Sequence, residues 1–224
     1  MPLISTLGTI SERGYTARKV IPSTPKYSIS MSSATADYVS ISSEYIFSGS
    51  FTLEAWVKFN SGGVALKPTI CGSFTVNNSQ FRIGGNGNPG LISIYINGFT
   101  ASGTTTINDN TWTHVAISRD SSTNTMYIFV NGNLDTTVGY AGSFYLSKLG
   151  ETFSDDAFNG LMHGFRANNG TCLYSSSFSL PTANFTAVPG TVILTGQSAT
   201  IANEASGPGL TLGNSASIVS QGPF

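Results

Sequence analysis

The stretch NTWTHVAISRD, residues 110–120, sets Trp112 and His114 two positions apart. On a β-strand that spacing puts both side chains on one face, with Thr113, Val115, Ile117 and Arg119 on the other. An imidazole so placed serves as a base, a metal ligand or a sugar-binding group, or it fills space. A general base needs a carboxylate or nucleophile in reach. The flanking sequence offers neither, so His114 is expected to pack. His163, in GLMHGFRA, belongs to a second predicted strand that folding could bring near it. Two histidines without a carboxylate motif make a poor metal site. Glu54, in SFTLEAWVKFN, stands alone among Leu53, Ala55 and Trp56. The segment GNGNPG, residues 85–90, has the letters of a dinucleotide loop, but Pro89-Gly90 leads into LISIYI, a strand, where a helix would have to open.

These side chains need strands to position them. In SFTLEAWVKFN, Phe51, Leu53, Ala55, Val57 and Phe59 alternate with Thr52, Glu54, Trp56 and Lys58. That period of two predicts a strand. TICGSFTV, QFRIGG, LISIYI, TMYIFV, FYLSKLG and GLMHGFRA continue the pattern, and Asn97-Gly98 and Asn131-Gly132 mark two-residue hairpins. No window keeps a helical period. Short strands about every ten residues predict an all-β sandwich or jelly roll.

Composition agrees. There are 25 glycines, and charged residues make up only 9% of the 224. A net charge of −1 gives no field to steer the chain to nucleic acid or an acidic membrane. Residues 1–26 nevertheless hold Arg13, Arg18, Lys19 and Lys26 against Glu12, a net of +3, which leaves −4 on the rest. A basic arm on an acidic body suits docking, with Arg13, Arg18 and Lys19 as the contacts. Pro22 and Pro25 make its end an extended connector. Cys71 and Cys172 are expected to be free thiols, since a disulfide scaffold would use more cysteines. No export signal and no apolar run able to span a bilayer is visible, so synthesis in a cytoplasm is expected. The division expected is an arm over 1–26, a sandwich over 27–180 and a loop-rich extension over 181–224. That extension includes strand-like pieces at Thr191–Leu194 and Leu210–Leu212 and packs on the sandwich.

The motifs ADYVSI, GSFTLEAWVKF, NTWTHVAISRD, TMYIFVNG and FNGLMHGFRA together resemble a laminin-G-like domain of the concanavalin A-like jelly-roll superfamily, over about residues 27–167. The segment SSFSLPTANFTAVPGTVILTGQS, the terminal SIVSQGPF and the leader ISTLGTISERGY resemble structural proteins of tailed marine bacteriophages. This resemblance implies a component of the virion surface, a capsid decoration or tail-associated protein. Its partners would be other virion proteins and copies of itself, with a host glycan as a possible ligand; the alternative is a free carbohydrate-binding lectin.

The superfamily also contains glucanases, whose strand Glu-x-Asp-x-x-Glu aims two carboxylates into one cleft. This chain has no such spacing, and no enzyme is expected. Many laminin-G-like relatives hold calcium at the sandwich rim. The loop GETFSDDAFNG offers Glu151, Asp155, Asp156 and Asn159 as oxygen donors; Asp155, Asp156 and Asn159 are the calcium candidates, against the alternative of a solvated acidic loop. No other cofactor is expected. Tyr140, Phe144, Tyr145, Asn168, Asn169 and Tyr174 fall in or near rim loops where a sugar could bind. The sequons at Asn77, Asn169 and Asn184 are expected by chance in a chain so rich in serine and threonine.

Overall fold

The computed structural model describes residues 26–61, 67–74, 78–85, 90–153 and 156–224. Arg13, Arg18 and Lys19 of the arm lie outside these residues, as do Asn77, Asp155 and residues 86–89 of the GNGNPG loop.

The described residues form two antiparallel sheets, a jelly-roll sandwich of fifteen strands numbered along the chain, with a single 3-10 turn at Ser33–Thr35. In the larger sheet the spatial order is β10 (Asn133–Gly139), β9 (Thr125–Val130), β8 (Trp112–Asp120), β3 (Phe51–Phe59), β12 (Gly160–Asn169), β1 (Ser28–Met31) and β15 (Ser217–Val219). An eighth strand, β13 (Thr191–Thr195), shares the free edge of β12 with β1. The smaller sheet runs β14 (Leu210–Gly213), β2 (Tyr38–Phe47), β11 (Phe144–Leu149), β4 (Thr69–Ser73), β5 (Ser79–Ile83), β6 (Leu91–Ile96) and β7 (Phe99–Thr106). Asn97 and Asn131 adopt φ of 47° and 50° ahead of Gly98 and Gly132, the left-handed pair that a two-residue hairpin requires.

The inward face of each strand meets its counterpart in one core. Phe51, Leu53, Ala55 and Val57 of β3 and Val115 and Ile117 of β8 are fully buried there, with Phe81, Ile92, Phe144 and Phe165. The seam between β7 and β10 is tied by Asp135, which accepts from the backbone N–H and the hydroxyl of both Thr104 and Thr105 at 2.7–3.0 Å. Burial alone would raise the Asp135 pKa. The hydrogen bonds from Thr105 and Thr104 outweigh that and hold it below the usual carboxylate range.

The outward face of the larger sheet is where alternation misleads. Thr52, Glu54 and Trp56 read as the polar, solvated side of β3, yet all three are buried. Residues 171–188 cross this face as a strap without regular structure. Leu173 N–H donates to Thr52 Oγ1 at 2.9 Å, and Phe178 N–H donates to the Gly132 carbonyl at 2.8 Å. Gln197 clamps Phe185 through both its backbone groups, at 2.8 and 2.9 Å. Beneath the strap, Trp56, Phe185 and Leu194 form a second apolar cluster, with Leu180 and Trp112 at its margin. The residues after 180 also do more than pack, since β13, β14 and β15 add strands to both sheets. At the end of this face Phe224 meets Trp56 and His163 edge-on at 5.7 and 5.5 Å, and Lys26 Nζ lies 5.2 Å from its ring.

Candidate functional site

On the outward face of the smaller sheet lies a groove of about 310 Å³, lined by Lys67, Asn78, Gln80, Arg82, Tyr95, Phe153 and Asp156. Alternation on β5 builds its floor. Phe81 and Ile83 enter the core, so Gln80 and Arg82 must point outward. Pairing with β6 sets Tyr95 opposite Gln80 and Ser93 opposite Arg82. Gly72 of β4 pairs with Gln80 on the other side, and its lack of a side chain admits the loop after β11. That loop brings Thr152 and Asp156 over the sheet. Gln80 Nε2 donates to Thr152 Oγ1 at 2.7 Å and to Asp156 Oδ2 at 2.8 Å. Arg82 donates from Nη1 to Gln80 Oε1 at 2.5 Å and from Nε to Ser93 Oγ at 3.2 Å, with its guanidinium carbon 5.3 Å from the Tyr95 ring. Burial pushes the Arg82 pKa down, opposed by the charge of Asp156. The floor is thus a fixed polar chain, while Lys67, Asn78, Tyr95 and Phe153 reach the surface.

The histidines lie on the opposite side of the sandwich. His114 was expected to lack a carboxylate, and here the structure corrects the reading. Glu54, opposite Ala116 on the β3–β8 ladder and therefore diagonal to His114, places Oε2 3.1 Å from His114 Nε2. A carboxylate only accepts, so this nitrogen carries the proton. Glu54 Oε2 also accepts from the Tyr174 hydroxyl at 3.1 Å, and Oε1 accepts from Arg166 Nε and Nη2 at 2.8 and 2.6 Å. Nor is Glu54 alone. It is fully buried, and although burial would raise its pKa, the His114 hydrogen bond and the Arg166 charge hold it below the usual range. A β-bulge makes this possible. Between His163 and Arg166 the register of β12 against β3 shifts by one residue, at Gly164 with φ of 62°. Phe165 therefore turns into the core, and Arg166 turns out toward Glu54. His163 stays apart from His114 because Trp56 stands between them on β3, and its Nδ1–H donates to the Tyr27 carbonyl at 2.6 Å. Sealed under Phe178 and Phe185, this cluster is a structural lock.

A family model for the concanavalin A-like lectin/glucanases superfamily, of laminin G type, matches residues 33–173. The chain belongs to this superfamily. The solved structures agree on the fold. A candidate carbohydrate binding protein from Bacteroides ovatus superposes with a TM-score of 0.63 at 21% identity, covering 88% of this chain and 60% of that one. The chain is therefore shorter than that relative by a wide margin. The native heptameric SAP-like pentraxin from Limulus polyphemus gives 0.53 at 10% identity over 85% of this chain and 96% of that one. The full extracellular region of zebrafish Gpr126/Adgrg6 gives 0.57 at 14% identity over 88% and 26%. No curated protein sequence matches the chain.

Within this lectin/glucanase-type sandwich the other expected site residues separate. Asp156 is engaged by Gln80, and Asn159 donates its Nδ2 to the Asn60 carbonyl at 3.0 Å. Asp155 lies outside the described residues, and among the described ones no three His, Cys, Asp or Glu side chains gather to hold a metal. Of the rim aromatics and amides, Phe144 is in the core and Tyr174 serves Glu54. Asn168 is bound to Pro189 and Thr191, and Tyr140 donates to the Ser143 carbonyl. Asn169, in one of the sequons, donates to the Tyr45 hydroxyl. Cys71 and Cys172 are both free, the first in the core and the second half-buried beside Ser118. Gln80, Arg82 and Tyr95 were missed. Their signal was present in QFRI and LISIYI, two alternating strands whose polar faces become neighbours once the loop between them is taken as a hairpin.

Proposed function

We propose that the protein is a non-catalytic glycan-binding module that holds its ligand in the groove of the smaller sheet. One observation carries the reading: the groove joins two surface aromatic rings, Tyr95 and Phe153, to the Asn78 amide, whose buried Oδ1 has no hydrogen-bond partner, above a floor that Gln80 holds fixed. Rings stack on the apolar faces of a sugar, and an amide carbonyl without a partner accepts from its hydroxyls. The glycosidase reading is disfavoured because hydrolysis uses two facing carboxylates. The described lining holds one, Asp156, already accepting from Gln80. The fold shared with the Bacteroides protein supports the same direction.

The test is binding to immobilised polysaccharides with Tyr95→Ala beside the parent. Loss of the ring should weaken binding at least tenfold, about 1.4 kcal/mol. Equal binding by the variant, or silence of the parent across the panel, would overturn the assignment.

The module is further proposed to act on the surface of a virus particle, where the basic arm fixes it and repetition multiplies a weak single-site affinity. The support is the arm's net charge of +3 against −4 on the remainder, and the resemblance of leader and tail to phage structural proteins. Deleting residues 1–26 should abolish incorporation into particles. Full occupancy by the truncated protein would favour the free-lectin alternative.

A further inference from the structure

We infer that the ligand of the groove is an anionic glycan, a polysaccharide bearing carboxylate or sulfate groups, drawn in by Lys67 at the mouth and Arg82 at the floor. This rests on the glycan reading above and narrows it. Among the described residues the lining carries two cations and one carboxylate. That carboxylate is already occupied, because Asp156 accepts from Gln80 Nε2 and faces Arg82. For a sugar hydroxyl the described lining leaves Asn78 Oδ1 as an acceptor. An anion wants donors and positive charge, and both are in place.

The position of Arg82 strengthens the case. The residue is only 4% exposed, so solvent screens its charge poorly and its field reaches into the groove. Gln80, Ser93 and the Tyr95 ring hold the guanidinium in one orientation, so little freedom is lost when a ligand arrives. Burial lowers the Arg82 pKa, and the charge of Asp156 opposes that shift. Lys67, by contrast, is exposed and available for direct contact. The chain as a whole has a net charge of −1, so any preference for a polyanion must arise locally.

The experiment compares pairs of ligands that differ in charge alone: dextran with dextran sulfate, and methyl-esterified polygalacturonate with polygalacturonate. The full chain should bind at least one charged member tenfold or more tightly than its neutral partner, and the two pairs tell sulfate from carboxylate. Binding to that member should weaken several-fold as salt rises from low to high ionic strength. Lys67→Glu, an exposed change that leaves the floor intact, should cost tenfold or more. Lys58→Glu, the same reversal on the opposite sheet, should change little. Neutral members bound as tightly as charged ones would overturn the inference and leave the glycan reading standing. Silence toward all four would overturn both. Equal losses in the two lysine variants would mean diffuse attraction and defeat the inference, as would tighter binding to a single-stranded oligonucleotide than to any glycan.

Discussion

Replacing Glu54 with leucine should cost roughly 3–5 kcal/mol of folding stability, the usual consequence of removing one partner from a buried ion pair. The substitution strips Arg166 of both its carboxylate bonds and leaves His114 Nε2 and the Tyr174 hydroxyl without their acceptor. The Arg166 side chain is 9% exposed, so water cannot take the place of the carboxylate. Urea unfolding of parent and variant measures the difference. The double variant Glu54→Leu with Arg166→Met should recover most of the loss, because apolar groups of similar size replace both charges at once. A double variant no more stable than the single one would show that packing, and not the stranded charge, sets the penalty. The pH dependence has a definite sign. The Glu54 pKa in the folded protein lies below its ordinary value of 4.5, so its contribution is fully present above that pH and is lost as pH falls through the folded value. Glu54→Gln should therefore show a shallower fall in stability below pH 4.5 than the parent.

Gly72→Ala should abolish glycan binding and lower stability by about 1–3 kcal/mol, the range for overpacking a tight site. A Cβ at this position would fall well inside van der Waals distance of the Ser79 backbone carbonyl and 3.0 Å from Thr152 Cγ2. The carbonyl belongs to the paired strand β5 and cannot yield without disturbing the Gly72–Gln80 register. Thr152 belongs to the loop that delivers Asp156. A single methyl group thus pushes on both walls of the groove. Binding measured on the folded fraction, with circular dichroism to establish that fraction, separates the two effects. Undiminished affinity would mean that the groove is not where the ligand sits.

The sandwich was legible because its core obeys a period of two: Phe51, Leu53, Ala55 and Val57 are inward in the sequence pattern and inward in the structure. The hairpins at Asn97-Gly98 and Asn131-Gly132 were legible because only a few residue types tolerate left-handed backbone. What alternation could not show is the covering of the other face. Glu54 and Thr52 look like solvated polar positions and His114 like plain packing, and they become a buried network only because a strap more than a hundred residues from Glu54 in sequence lies over them. The bulge at Gly164 hid Arg166 in the same way, since one extra residue reverses the phase of everything that follows. The groove was hidden differently. Its residues were ordinary members of two strands, and their importance depends on a third segment, the loop carrying Thr152 and Asp156, arriving at Gly72.

The meeting of Lys26 with Phe224 beside Trp56 and His163 gives the molecule a handle and a blade. Both residues lie at the sealed face of the larger sheet. A partner that grips this end of the larger sheet leaves the groove of the smaller sheet, on the other side of the sandwich, uncovered.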